Sequence, residues 1–177
     1  MNLLAQLHLD HVNISKLLLL LDQNLQQIRQ GEIPELKLMA EAVEYIGHYA
    51  DLYPHPLEEQ MMEYFMERSE PLKKHQFICH KQHRELDQKS QQVLAPIAMT
   101  LLDGMLPMEQ VLRALDDFLK AQKAHLDYEE REIFPLIKTL ANEQDWQTLA
   151  KRSKLTNEKD KYQLSQFSAI YAELGGV

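Results

Sequence analysis

Two histidine–glutamate pairs in the sequence have a spacing that suits metal binding. They are His55–Glu59 and His125–Glu129, each four residues apart. On a helix, side chains at this spacing project from one face and can hold one metal ion or a close pair of ions. The same spacing also occurs in exposed ion pairs worth roughly a few tenths of a kcal/mol. The surrounding sequence therefore has to distinguish a buried site from a solvated pair.

Apolar residues recur at alternating spacings of three and four, and this pattern predicts four long helices. The helices cover about residues 4–28, 35–68, 71–103 and 107–140. Abundant Leu, Ala, Gln, Glu and Lys with only 5 Gly favours the same all-α fold class. Each inward face carries a candidate ligand histidine, and these are His11, His55, His83 and His125.

Two glutamates are predicted to turn inward with these histidines. A carboxylate on an apolar face costs free energy unless it is paired or binds metal, which singles out Glu59 and Glu129. Glu58 is the alternative to Glu59 on the second helix, and His80 is a less certain candidate on the third. His48 lies on the same predicted face as His55, two turns earlier. It is an outer-shell or gating candidate, for which ordinary core packing is the favoured interpretation.

The predicted architecture is a four-helix up-down-up-down bundle with the metal site in its core. One domain spans residues 1–177, with the bundle in 1–140 and short C-terminal helices in 141–177. Pro54 and Pro56 fall inside the second helix and predict a kink near the site. Imidazole with carboxylate suits iron, manganese or zinc, and two carboxylates suit a bridged pair of ions. The predicted ligands are His11, His55, Glu59, His83, His125 and Glu129.

Composition excludes several classes of partner. The formal charge is −8 without a basic cluster, which disfavours nucleic acid and anionic membranes. The longest apolar run, Leu17 to Leu21, is too short to cross a bilayer, and the first residues do not resemble a signal peptide. We therefore expect a cytoplasmic protein, and the single Cys79 fits a reducing compartment. The oligomeric state is left open, a dimer being one option.

Four motifs together resemble the hemerythrin-like family, also called HHE cation-binding domains. The last motif is the most specific, and the resemblance covers nearly the whole chain to about residue 140. It implies a non-haem di-iron centre that binds oxygen or nitric oxide, or that serves iron handling and repair. The motifs are Asp10-His11-Val-Asn-Ile14, Tyr49-Ala-Asp-Leu-Tyr-Pro-His55-Pro-Leu-Glu-Glu59, Gln82-His83-Arg-Glu-Leu86 and His125-Leu-Asp-Tyr-Glu129-Glu-Arg-Glu-Ile-Phe-Pro135.

The chain departs from that family pattern in two places. Related sequences commonly carry two histidines before the proline of the second motif, and Pro54 stands at the first of them here. If the family ligands are that first histidine and the glutamate at the position of Glu58, this chain lacks the histidine ligand. Oxygen-carrying members have an H-x-x-x-H pair on the third helix, whereas this chain has His80 and His83 at spacing three, which disfavours reversible oxygen carriage.

The leading functional hypothesis is a di-iron protein that binds or senses oxygen or nitric oxide, reacts with peroxide, or handles iron. One alternative is a di-iron oxidase or peroxidase with the same open metal position. The other is a metal-free helical interaction module whose histidines are satisfied by glutamates. A ferritin-like site is excluded because the chain contains no Glu-x-x-His motif.

Overall fold

The computed structural model describes residues 3–32, 35–103, 108–152 and 166–173, with the backbone alone for 100–103. These ranges are helical and contain no strand, which confirms the predicted all-α fold class. The up-down-up-down order of the bundle and the boundary at residue 140 stay predictions. The helices are α1 (Leu3–Arg29), α2 (Leu36–Leu52), α3 (Pro54–Phe65), α4 (Glu70–Asp103), α5 (Met108–Tyr128), α6 (Phe134–Leu140), α7 (Glu143–Arg152) and α8 (166–173).

The second predicted helix is two helices, which corrects the prediction of one kinked helix over 35–68. The break falls at Tyr53, whose backbone has φ −132° and ψ −70°. Pro54 and Pro56 lack the N–H groups that would bond one turn back, so α2 cannot continue through them. Proline is accepted at the first position of a helix, and α3 begins at Pro54. A short 3-10 turn, Met66–Arg68, follows α3.

The fourth predicted helix is continuous in direction but contains a π-helical turn, Glu129–Ile133, between α5 and α6. The N–H of Phe134 donates to the carbonyl of Glu129, five residues back, where an α-helix would use a spacing of four. Pro135 follows at once, and its ring would clash with the carbonyl four residues before it in a regular helix. The widened turn removes that clash and begins at Glu129, one of the predicted ligands.

Helix ends follow local rules elsewhere in the chain. Gly31, with φ 92°, takes the left-handed conformation that stops α1. The hydroxyl of Ser69 accepts a hydrogen bond from the N–H of Leu72 at 3.4 Å at the start of α4. From there α4 runs through Pro96 to Asp103.

Two apolar clusters form the core of the described helices. α4 packs against α2, α3 and α5, and α1 packs against α2 and α5. The first apolar cluster contains Ile14, Leu17, Leu18, Leu20, Leu21, Leu25, Ile28, Met39, Ala42, Val43, Ile46, Val93, Ile97, Val111, Leu115, Phe118, Leu119 and Leu126. The second apolar cluster contains Leu3, Leu4, Leu7, Leu57, Met61, Met62, Phe65, Leu72, Cys79, Ile133, Phe134, Ile137 and Leu149.

The predicted site histidines lie between these two clusters along the helices. On α1, the second cluster ends at Leu7, the first begins at Ile14, and His11 is buried between them. On α5 the first cluster ends at Leu126, beside the buried His125. The imidazoles therefore lie at a common level of the core. None of the described helices combines the length and apolar character needed to cross a membrane.

Candidate metal centre

Six side chains from the four helical segments come together at the level between the apolar clusters. They form two groups, and within each group the potential ligand atoms all lie within 4.8 Å of one another. Glu58 belongs to both groups, and its two oxygens face different histidines: Oε1 lies 3.5 Å from His11 Nε2 and Oε2 lies 3.8 Å from His83 Nε2. The first group is His55, Glu58, His83 and His125, and the second is His11, Glu58 and Glu129.

Glu58, and not Glu59, is the inward glutamate of α3. The residue is 2% exposed, whereas the Glu59 side chain is 41% exposed and reaches His80 Nε2 with one oxygen at 3.1 Å. The sequence prediction of Glu59 assumed that the inward face of one kinked helix continues unchanged past Pro54 and Pro56. Because the backbone breaks at Tyr53, the inner face of α3 does not continue that of α2. The turn that starts at Pro54 places His55 and Glu58, three residues apart, on the inner face.

His80 and His48 do not lie in the centre. The side chain of His80 is 45% exposed and pairs with Glu59. His48 is exposed and lines a surface cavity between α2 and α8, together with Tyr45 and Ile170. The ligand prediction for His80 is therefore corrected, and so are the favoured core-packing interpretation and the outer-shell alternative for His48, because both side chains are exposed.

Four buried polar atoms of the cluster make no hydrogen bond within the described part of the chain. They are both carboxylate oxygens of Glu58, Nε2 of His83 and Oε2 of Glu129. A buried polar group without a partner costs about 1–3 kcal/mol, and more when it is charged. Native proteins rarely leave several such atoms facing one another. Their donor chemistry, carboxylate oxygen and imidazole nitrogen, is that of iron, zinc and manganese sites, so these residues fit a metal centre.

The three histidines of the first group form a compact set of rings. His55 stacks on His83 with ring centroids 3.6 Å apart, and His125 stands edge-on to both at 5.7 and 4.9 Å. Burial first, and then the neighbouring imidazoles, lower the pKa of His55 to about 2. Burial also lowers the pKa of His125 to about 4, against the opposing charge of Glu129. Both rings are thus neutral at pH 7, which is the form that binds metal.

His11 behaves in the opposite way. Its Nε2 lies 3.3 Å from Glu129 Oε2 and 3.5 Å from Glu58 Oε1. Burial opposes protonation, but the nearby carboxylates of Glu129 and Glu58 outweigh it and raise the pKa of His11 to about 10. Burial and the Glu129 charge raise the pKa of Glu58 to about 8. The pKa of Glu129 stays low because His125, His11 and His83 overcome the effect of its burial. Protons on His11 and Glu58 therefore neutralise the centre when no metal is bound.

Three polar side chains hold the outer ring nitrogens, and the sequence analysis did not identify their roles. Nδ1 of His125 donates to Gln82 Oε1 at 3.1 Å, which turns Nε2 toward the centre. Nδ1 of His11 donates to Glu130 Oε1 at 3.0 Å, and Nδ1 of His55 lies 3.2 Å from Asp51 Oδ1. Such partners fix the tautomer and orientation of ligand histidines.

Glu130 also contacts a histidine outside the centre. Its oxygen also accepts from Nδ1 of the exposed His8 at 3.0 Å. A surface cavity of about 560 Å³ lies between α1 and the end of α5, and His8, His11 and Glu130 are among the residues that line it. The sequence contained a signal for this contact, because Glu129 is followed directly by a second glutamate. Consecutive residues on a helix point about 100° apart, so Glu130 faces α1 while Glu129 faces the centre.

The sulfur of Cys79 is a further missed neighbour. The thiol is fully buried in the second apolar cluster and donates to Glu129 Oε1 at 3.7 Å. Burial and the nearby carboxylates raise the pKa of this thiol well above its usual range, so it is a neutral S–H. Cys79 therefore contacts the carboxylate of Glu129 from α4.

Comparison with known proteins gives one match. A family model described as the hemerythrin HHE cation binding domain matches residues 2–137. No curated protein and no solved structure matches the chain significantly. The matched region contains all six clustered side chains, the π-helical turn and both apolar clusters except Leu149.

Proposed function

The chain belongs to the hemerythrin HHE cation-binding domain family, and on that premise we propose that it is a non-haem di-iron protein that binds a small molecule at its buried centre. The candidate molecules are oxygen, nitric oxide and peroxide. The observation that carries the proposal is the set of unpartnered atoms on Glu58, His83 and Glu129 at one level of the core. Two cations would neutralise these carboxylates and use the lone pairs that the protein leaves without donors.

The two groups of ligand atoms suggest unequal metal positions. His55, His83 and His125 with Oε2 of Glu58 would hold the first ion, and His11 with Glu129 and Oε1 of Glu58 would hold the second. The second group thus contains fewer imidazoles than the first. We therefore assign the more open position, where a small molecule has room to bind, to the side of His11 and the cavity that reaches it.

Ferrous ions held there would supply electrons to a bound molecule. The protein's own part is to prepare the ligands. His55 and His125 are already neutral, whereas His11 has to lose the proton that it shares with Glu129 and Glu58. Glu130 stays as the acceptor for Nδ1–H of His11 and keeps Nε2 aimed inward. Metal binding therefore releases protons and strengthens as pH rises.

The proposal is tested by loading the metal-free protein anaerobically with iron and titrating it with nitric oxide and, separately, with oxygen. We expect two irons per chain, a stoichiometric optical change with nitric oxide, and an oxo-bridge charge-transfer band after oxygen. Zinc and manganese, loaded in parallel, measure how selective the site is. A chain that binds fewer than two irons would contradict the proposal.

The oxidase or peroxidase alternative predicts turnover instead of stoichiometric reaction. Repeated additions of oxygen or peroxide with a one-electron reductant then consume many equivalents per chain. The alternative of a metal-free interaction module requires that the buried histidines and glutamates of the centre be stable without metal ions. The unpartnered oxygens of Glu58 argue against that alternative, since a neutral apolar core of the same volume would avoid their cost.

A further inference from the structure

One face of α4 leads from the metal ligands toward the protein surface. His75, Cys79 and His83 are spaced by four residues and so lie in a row along the helix. Two of them contact consecutive residues of the opposite helix: His75 contacts Tyr128, and Cys79 contacts Glu129. A phenol and a thiol, both oxidisable, therefore lie along this row, and the thiol contacts Glu129.

The contact between Tyr128 and His75 is short. The phenol oxygen lies 2.6 Å from Nδ1 of His75, and the two rings have centroids 5.6 Å apart. Both side chains are partly buried, and Tyr128 packs against the second apolar cluster, which contains Cys79. We assign the phenol as donor, because a neutral imidazole has one nitrogen free to accept. Tyr128 is also joined to Glu129, the proposed ligand, by a single peptide unit.

A phenol gives up an electron readily only when its proton has a base to go to. His75 is such a base, held at hydrogen-bond distance in advance. The hydroxyls of Tyr49 and Tyr64 are also hydrogen-bonded, but their acceptors are carboxylates. Tyr49 donates to Asp10 at 2.6 Å, and Tyr64 donates to Asp145 at 2.9 Å. A carboxylate is a much weaker base than imidazole, since the ordinary pKa of Asp is about 3.9 against about 6.5 for His.

We infer that Tyr128 is a redox-active residue that delivers one electron to the centre during reaction with hydrogen peroxide, with His75 as the proton acceptor. The inference rests on the proposed di-iron function. Reduction of one hydrogen peroxide to two waters takes two electrons and two protons. When one ferrous ion is present, it is the source of one electron, Tyr128 is the source of the other, and the two protons come from solvent. The O–H bond of Tyr128 breaks, its proton moves to Nδ1 of His75, and a neutral phenoxyl radical remains.

The test uses the full chain loaded with iron and poised with one ferrous and one ferric ion. Metal content is measured first, one equivalent of hydrogen peroxide is added, and the sample is frozen for electron paramagnetic resonance. We expect an organic radical signal with the hyperfine pattern of a tyrosine. Tyr128→Phe should abolish it, while Tyr64→Phe and Tyr49→Phe, which make the same change at hydroxyls bonded to carboxylates, should keep it. His75→Ala should lower its yield and leave iron binding intact.

The outcomes separate the two proposals. A chain that binds no iron overturns the di-iron function, and this inference with it. A chain that binds two irons but gives no tyrosine signal, or gives one that survives in Tyr128→Phe, overturns the inference alone. Phenylalanine keeps the ring that packs on the second apolar cluster, so loss of the signal would not come from a disturbed core.

Discussion

Replacing Glu58 by glutamine should stabilise the metal-free protein while weakening its metal binding. In the metal-free fold, burial and the nearby Glu129 raise the pKa of Glu58 from 4.5 to about 8. At pH 7 the folded chain therefore holds a proton on Glu58 that the unfolded chain has released. Glutamine has nearly the same shape and carries no charge at any pH, so Glu58→Gln removes this penalty.

The size of the effect follows from the pKa of Glu58. A folded-state pKa above the unfolded one means that stability falls as pH rises from 4.5 toward 8. pH 7 lies about 2.5 units above the unfolded-state pKa of 4.5. At about 1.4 kcal/mol per unit, keeping Glu58 protonated in the folded chain therefore costs about 3 kcal/mol at pH 7. For a chain of this size such a gain raises Tm by about 6–12 °C. The gain should be small at pH 4.5, where the unfolded chain is half protonated at this carboxyl, and should vanish at lower pH, where both states hold the proton.

The assay is chemical unfolding followed by circular dichroism, with a chelator present, between pH 4.5 and pH 8. Glu59→Gln is the matched control, because it makes the same change one residue away on a side chain that is 41% exposed. The control should change stability by less than about 0.5 kcal/mol at any pH and leave metal content intact. A metal-free Glu58→Gln protein that is less stable than wild type at pH 7 would refute the reasoning, as would one that still binds two metals.

Three other changes test separate parts of the structure. Glu129→Ala should release at least one metal per chain in elemental analysis, and unchanged stoichiometry would remove Glu129 from the ligands. His11→Ala should lower metal content while His8→Ala, one turn earlier at an exposed position, should not; equal losses would contradict the assignment. Phe118→Ala empties a fully buried position of the first apolar cluster and should lower the free energy of unfolding by about 3–5 kcal/mol in denaturant titration, and a loss under 1 kcal/mol would contradict its place in the core.

The sequence predicted the parts of the fold that depend on periodicity. The spacing of apolar residues around His11 and His125 placed both rings inside the core, and both are less than 5% exposed. A helix repeats its inner face every three or four residues, so a continuous helix carries this information along its whole length. The prediction held for these two rings on α1 and α5 but failed on α2, where His48 was expected to face inward and is exposed.

The prediction of the inner face failed in α3, because α2 ends before Pro54 and a new helix begins there. The inner face of α3 could not be extrapolated from α2, because the break at Tyr53 changes the direction in which the next residues point. That is why Glu59 was preferred to Glu58. The contacts of Glu130 and Gln82 were missed for another reason: they depend on which helices are neighbours in space, and no spacing along one helix contains that information.

The central claim is that two metal ions occupy the space between the two apolar clusters. Diffraction from crystals of the iron-loaded protein, recorded on either side of the iron absorption edge, tests it directly. We expect two anomalous peaks that share Glu58, one bounded by His55, His83 and His125 and the other by His11 and Glu129. A single peak at the protein surface, or none within reach of Glu58, would contradict the account.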